Sequence, residues 1–279
     1  MKCNLLVPGF AKCATSSLHK YLDLHPEICM SSRKEPHYFS LKAVYEKGAS
    51  WHDSLFDHAD ENSKFFGESS TSYSTWEPAL VRIKKELIRP RIILILRDPL
   101  ERLLSHYRWM YAIGFENEKL PKALKVEAGS PVDIEISRGG CYPWYFRKSK
   151  YSYFVPLIEI IFGEENVLLI RTEDLAQKPS KVMDYCFNFL QVDAFDIGES
   201  RMEFNKTANK RVQNGASIVS LHDKLPSRFR HMIKPYYGKL LTLLGKRKRV
   251  APEPSDVFLD DLRALLEDDF KEYSRATAL

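Results

Sequence analysis

Three sets of side chains in this sequence have the types and spacing to act on an anion or a hydroxyl. Lys12 stands three residues ahead of Thr15, Ser16 and Ser17, with Cys13 and Ala14 between. A cation followed by hydroxyls at the start of an apolar helix face can hold an oxyanion, because the first amides of a helix lack intrahelical acceptors and carry partial positive charge. Glu35 and His37 flank Pro36. Pro36 disfavours a helical Glu35, and in an extended segment the two side chains point to one side. A carboxylate beside an imidazole can remove the proton of a hydroxyl and orient it. Arg97 and Ser105 form the third set, a guanidinium fork and a hydroxyl that together can grip a terminal phosphate. Plainer roles stay open at each place: a strand-to-helix turn with a surface lysine, a mixed-charge loop, an ion pair of Arg97 with Asp98 or Glu101, and a solvated Ser105.

The surrounding elements must bring these groups together. Leu5 to Val7 suit a strand buried on both faces, which Pro8-Gly9 ends at a residue free to take positive φ. Leu18, Tyr21 and Leu22 then mark one face of a first helix. Ile92 to Leu96 are five consecutive apolar residues, a central strand, and Pro99 suits the first turn of the next helix. Arg97 therefore lies at the carboxyl end of a strand, where open α/β sheets bind ligands. Phe65 to Tyr73 read as a strand end turning into a hydroxyl-rich loop. Residues 41–64 read as a loop or short helices, with His52 and His58 but no metal spacing. Asn166 to Ile170 are a third buried strand, preceded by an aromatic helix from Tyr142 through Ile161 and followed by a helix from near Pro179 to Leu190. Phe258, Leu262, Leu265, Leu266, Phe270 and Tyr273 form one helical stripe that packs on the body. The pattern predicts a single α/β domain over residues 1–279, with a P-loop-like, mainly parallel sheet flanked by helices on both faces.

Composition sets few limits. Of 279 residues 44% are hydrophobic and 28% charged, which excludes disorder as the main state, and the net charge of +5 fits an anionic ligand only weakly. Cys3, Cys13, Cys29, Cys141 and Cys186 show no C-x-x-C spacing, so free thiols in a reducing compartment are expected. No stretch of eighteen apolar residues occurs, and a cytoplasmic location is the expectation if the chain is full length. The basic run Lys246-Arg247-Lys248-Arg249 reads as a solvated linker.

The run from Lys12 to Leu18 resembles the 5′-phosphosulfate loop of sulfotransferases that use 3′-phosphoadenylyl sulfate (PAPS), K-x-G-T-[ST]-[SA]-L, with Ala14 where that family usually has glycine. Lys34-Glu35-Pro36-His37-Tyr38-Phe39 resembles the K-E-x-x-[FY]-F segment of heparan sulfate and related carbohydrate sulfotransferases. Gly67 to Tyr73 resembles their G-E-[KS]-[ST]-x-x-Y segment, with Ser69 where some relatives place a lysine. Arg97 to Tyr107 is similar to the 3′-phosphate motif R-D-P-x-x-R-x-x-S-x-Y. The resemblance covers roughly residues 4–190, with cofactor motifs in 4–24 and 91–108.

This resemblance implies transfer of the sulfuryl group of PAPS to a hydroxyl of a saccharide or glycan, leaving adenosine 3′,5′-bisphosphate and requiring no metal. Glu35 would be the base, with His37 beside it, and Lys12 would stabilise charge on the bridging oxygen. Lys12, Cys13, Ala14, Thr15, Ser16 and Ser17 would line the 5′-phosphate, Arg97 and Ser105 the 3′-phosphate, and Arg211 of the basic loop within 200–279 would cover it. Neither a nucleic acid nor a membrane span is expected. Two rivals remain: a P-loop kinase of a small hydroxyl compound, which needs a Gly-Lys-[ST] order absent here, and a non-catalytic module that binds an anionic glycan.

Overall fold

The apolar runs form a five-stranded, wholly parallel sheet in the order β2-β3-β1-β4-β5. The computed structural model describes residues 1–130, 143–198 and 249–276. The strands are β1 (Leu5–Leu6), β2 (Ile28–Met30), β3 (Phe65–Glu68), β4 (Arg91–Leu96) and β5 (Val167–Arg171). Ile92 to Leu96 are at most 1% exposed, which explains why β4 reads as an unbroken apolar run. Burying each such side chain contributes about 1.5–3 kcal/mol. β2, only three residues long, gives too short a pattern to be read as a strand from sequence.

Because every strand runs the same way, the loops after β1, β2, β3 and β4 all emerge at one edge. The connections reverse direction around β1, and a crevice at such a switch point is where this architecture binds ligands. The helices that position the edge are α1 (Thr15–Leu22), α2 (Lys42–Tyr45), α3 (Ala49–Asp53), α4 (Glu77–Glu86), α5 (Pro99–Ala112), α6 (Leu120–Ala128), α7 (Tyr151–Phe162), α8 (Thr172–Gln177), α9 (Pro179–Leu190), α10 (Asp256–Leu265) and α11 (Glu267–Arg275). The expected single α/β domain with a P-loop-like sheet is what the chain forms. One core surrounds the sheet, α1, α4, α7 and α9. A second cluster joins Leu103, Leu104 and Tyr107 of α5 to Leu120 of α6 and Leu262 of α10.

Some local expectations are corrected. The aromatic helix starts at Tyr151 and not near Tyr142, which lies outside the described residues. The chain before it is held as turns, because Glu127 accepts the backbone N–H of Tyr145, Phe146 and Arg147 at 2.8, 3.0 and 2.8 Å. The fully buried Arg102 adds bonds to Ser149 Oγ (2.6 Å) and to the Tyr145 carbonyl. The C-terminal stripe is two helices, broken at Leu266, and this break leaves Leu265 63% exposed. Its second half is pinned by Asp269, fully buried, which accepts from Ser152 N–H at 2.9 Å and Ser152 Oγ at 2.7 Å and pairs with Lys150 at 2.8 Å. Arg249 lies on the body and not in a solvated linker: it donates to Asn117 Oδ1 at 2.7 Å and stacks over Tyr111. Residues 246–248 lie outside the described residues.

Among the described residues, Cys3, Cys13, Cys29 and Cys186 are buried and unpaired. No helix there is long and apolar enough to cross a membrane.

Candidate functional site

The loop between β1 and α1 takes its shape from residues that sequence reading assigned differently. Gly9 does not use positive φ; instead an added Cβ would run into the side chain of the fully buried Ser74, so its missing side chain lets the loops after β1 and β3 meet. Positive φ falls on Lys12 (74°) and Ala14 (58°). Ala14 is the N-cap residue of α1 and has no side chain to cap it, so the amides of Thr15 and Ser16 head the helix without a side-chain acceptor from the cap. No acidic residue stands in that first turn, which leaves an anion site of helix amides and hydroxyls beside Lys12.

Lys12 reaches toward α5: its Nζ lies 5.1 Å from the centre of the Trp109 ring, one turn beyond the half-buried Ser105. Arg97 follows β4, and its side chain, 28% exposed, pairs with Glu101 at 3.2 Å. Asp98 caps α5 by accepting the Glu101 N–H at 2.9 Å and makes no pair with Arg97. Tyr151 at the start of α7 joins the two clusters. Its hydroxyl donates to the Arg97 carbonyl (3.1 Å), accepts the Arg97 N–H (3.4 Å) and lies 3.6 Å from Cys13 Sγ. Burial pushes the Cys13 thiol up to about 11, so it stands as a neutral packing group of the loop. Sequence reading missed Tyr151, since one tyrosine in an aromatic helix carries no local signal. Arg211 lies outside the described residues.

Glu35 and His37 are together, but not by an extended backbone. Both residues sit at φ 56°, and His37 Nε2 lies 3.5 Å from Glu35 Oε2. Pro36 does keep Glu35 out of the right-handed helical region; the backbone takes the left-handed one. Glu35, 29% exposed, accepts from Lys34 Nζ (2.9 Å), Thr71 N–H (3.0 Å) and Thr71 Oγ1 (3.1 Å), while its own N–H donates to the Ser69 carbonyl (3.0 Å). Burial would raise the Glu35 carboxyl, but the charges of Lys34 and His37 and the bonds from Lys34 and Thr71 hold it below the usual range. His37 is lowered by burial against the pull of Glu35 and Glu68, and its Nδ1 meets Ser72 Oγ at 2.9 Å.

Ser69 bonds His19 Nδ1 at 2.9 Å, and burial drives His19 down to about 4. Beside the cradle a cleft of about 390 Å³ opens, lined by Ser16, His19 and Lys20 of α1 and by Ser31, Ser32 and Lys34 after β2. It links the start of α1 to Lys34, the partner of Glu35, and no short motif in the sequence marks it.

Comparison with known proteins fits this geometry. The family described as sulfotransferase domain matches residues 3–233. The human carbohydrate sulfotransferase 15 is 23% identical over an alignment of 299 positions, covering 87% of this chain and 53% of the relative. The membrane-associated sulfotransferase kil1 of Dictyostelium discoideum is 36% identical over 108 residues, 38% of this chain and 22% of that protein. The human bifunctional heparan sulfate N-deacetylase/N-sulfotransferase 1 is 26% identical over 207 residues, 68% of this chain and 22% of that protein. The chain thus spans about half or less of the length of these curated relatives. Among solved structures, a sulfotransferase from Alicyclobacillus acidocaldarius superposes with TM-score 0.61 at 23% identity, covering 87% of this chain and 96% of that one, a likeness of fold. With the sulfotransferase model matching most of its length, this chain belongs to the sulfotransferase domain family.

Proposed function

We propose that this protein moves a sulfuryl group from PAPS to a hydroxyl of a saccharide or glycan, with Glu35 as the base. The convergence of the two anion-binding clusters carries this reading: Lys12 leans on Trp109 of α5, one turn beyond Ser105, and Tyr151 ties Cys13 of the first loop to Arg97 of the second. Donors facing the crevice at two separated points suit a ligand with phosphate at both ends. The donor set fits the co-substrate: helix amides and the hydroxyls of Thr15, Ser16 and Ser17 at the 5′-phosphate, Arg97 and Ser105 at the 3′-phosphate. Arg97 holds Glu101 by a partly exposed pair worth about 0–1 kcal/mol, so a phosphate can take its place.

PAPS supplies the activated sulfuryl group. The bond from sulfur to the bridging phosphate oxygen breaks, and a bond from sulfur to the acceptor oxygen forms. Glu35 takes the acceptor proton, Lys12 stabilises the negative charge left on the bridging oxygen, and His37 holds Glu35 in place. Positioning and fixed charges supply most of the rate in such a step. The cleft beside Ser16 and Lys34 seats the acceptor, and the hydroxyl, lysine and imidazole groups in its lining suit a sugar. The names of the relatives, carbohydrate and heparan sulfate sulfotransferases, support the same acceptor class.

Labelled PAPS offered with a panel of saccharides, small alcohols and tyrosyl peptides tests the reading. Label should move to a saccharide, and Glu35→Gln should lower turnover on the order of a hundredfold with adenosine 3′,5′-bisphosphate affinity kept. Stabilisation by ATP with magnesium, and none by adenosine 3′,5′-bisphosphate, would point to a kinase instead.

A further inference from the structure

Glu68 closes β3 beneath the loop that carries Glu35, and its side chain is fully buried. A carboxyl group withdrawn from water needs donors. Ser70 Oγ donates to one oxygen at 2.9 Å, and Tyr73 Oη donates to the other at 2.8 Å. His52 Nε2 stands 3.5 Å from that second oxygen, inside a cage formed by Tyr38, Phe39 and Phe56.

A hydroxyl has a single proton, so Ser70 and Tyr73 have each committed theirs to Glu68 and turn their lone pairs the other way. Both lone pairs are used by the same loop. Ser70 Oγ accepts the His37 N–H at 3.0 Å, and Tyr73 Oη accepts the Phe39 N–H at 3.2 Å. That loop needs such restraint, because Glu35 and His37 both sit at φ 56°, a conformation unfavourable for a non-glycine residue that persists only when its surroundings enforce it.

We infer that Glu68 is a positioning residue for the reaction: its carboxylate directs two hydroxyls that clamp the backbone at His37 and Phe39, and thereby fixes where Glu35 points. This inference rests on Glu35 being the base. Glu68 touches neither substrate, and its effect is transmitted through Ser70 and Tyr73.

The test is a double-mutant cycle on the full chain with Glu68→Gln and Glu35→Gln. The amide keeps the shape of Glu68 but replaces one acceptor with a donor, so one of the two hydroxyls loses its direction. Expected are about a tenfold fall in kcat for Glu68→Gln, unchanged affinity for adenosine 3′,5′-bisphosphate, and little further loss when Glu35 is already Gln. Wild-type turnover in Glu68→Gln, or a full tenfold loss added on top of Glu35→Gln, overturns the inference. Tyr73→Phe removes one clamp without touching the carboxylate and carries the same cycle if Glu68→Gln fails to fold. If Glu35→Gln alone keeps wild-type turnover, the base assignment fails and the inference with it; if only the Glu68 and Tyr73 variants are silent, the base stands and the inference falls.

Discussion

The Tyr151 hydroxyl donates to the Arg97 carbonyl at 3.1 Å and accepts the Arg97 N–H at 3.4 Å, so one phenol satisfies both backbone groups of the residue assigned to the 3′-phosphate. The same oxygen lies 3.6 Å from Cys13 Sγ in the loop proposed for the 5′-phosphate. The register between the two ends of the proposed nucleotide site therefore depends on a residue assigned to neither end.

Removing that oxygen should be felt as a binding defect. Tyr151→Phe leaves part-buried backbone groups at Arg97 without that partner, a cost of about 1 kcal/mol. Affinity for adenosine 3′,5′-bisphosphate, read by calorimetry, should fall about tenfold with the secondary structure kept. Unchanged affinity would show that the two loops hold their spacing without it.

The acidity of Glu35 should be set first by Lys34. The Lys34 ammonium, 2.9 Å away, is the main influence holding the carboxyl below its usual range, while burial pushes it up. A base works ionised, so activity is lost as pH falls through its pKa, and raising that pKa moves the loss to higher pH. Lys34→Ala should thus shift the acid limb of kcat/KM upward, in a pH titration of initial rates. An unmoved limb would assign that limb to another group.

Stability should fall in mild acid because of His19. Its imidazole, buried against Ser69, is lowered from 6.5 to about 4. Between those values the unfolded chain binds a proton that the folded chain does not, so stability drops as pH falls through that window and is unaffected by this group above it. The limiting size is on the order of 3 kcal/mol. Urea midpoints from pH 7 to pH 5 should decline in the parent and decline less in His19→Gln; parallel slopes would remove His19 as the cause.

Ala14→Gly should raise the melting temperature slightly. At φ 58° a Cβ costs about 1–2 kcal/mol, partly offset by the greater freedom glycine gives the unfolded chain, so the net gain is below about 1 kcal/mol. Turnover should stay within about twofold, since the amides that face the anion are unchanged in number. Calorimetry of both proteins checks the first point, and a lower melting temperature would contradict it.

Much of the architecture was legible where buried strands announce themselves, as in Ile92 to Leu96, and where a proline marks a helix start, as at Pro99. The residues proposed to face the nucleotide could be picked out because hydroxyls, a lysine and an arginine at fixed spacing are local patterns. Contacts between distant segments were not. Tyr151 meets Arg97 across 54 positions, Thr71 meets Glu35 across 36, and neither partner carries a signal of its own. The backbone of Glu35 and His37 also escaped, because the left-handed conformation there is imposed by the clamps on the loop and not by the preferences of the two residues.

Asp269 holds Lys150 and Ser152, the two residues on either side of Tyr151. A chain shortened to end before α11 would still contain every side chain assigned to the nucleotide, yet the tyrosine that spaces them would be left on an unfastened helix start. Such a truncation should behave as a loss of grip on the nucleotide, in a protein whose cofactor motifs are all intact.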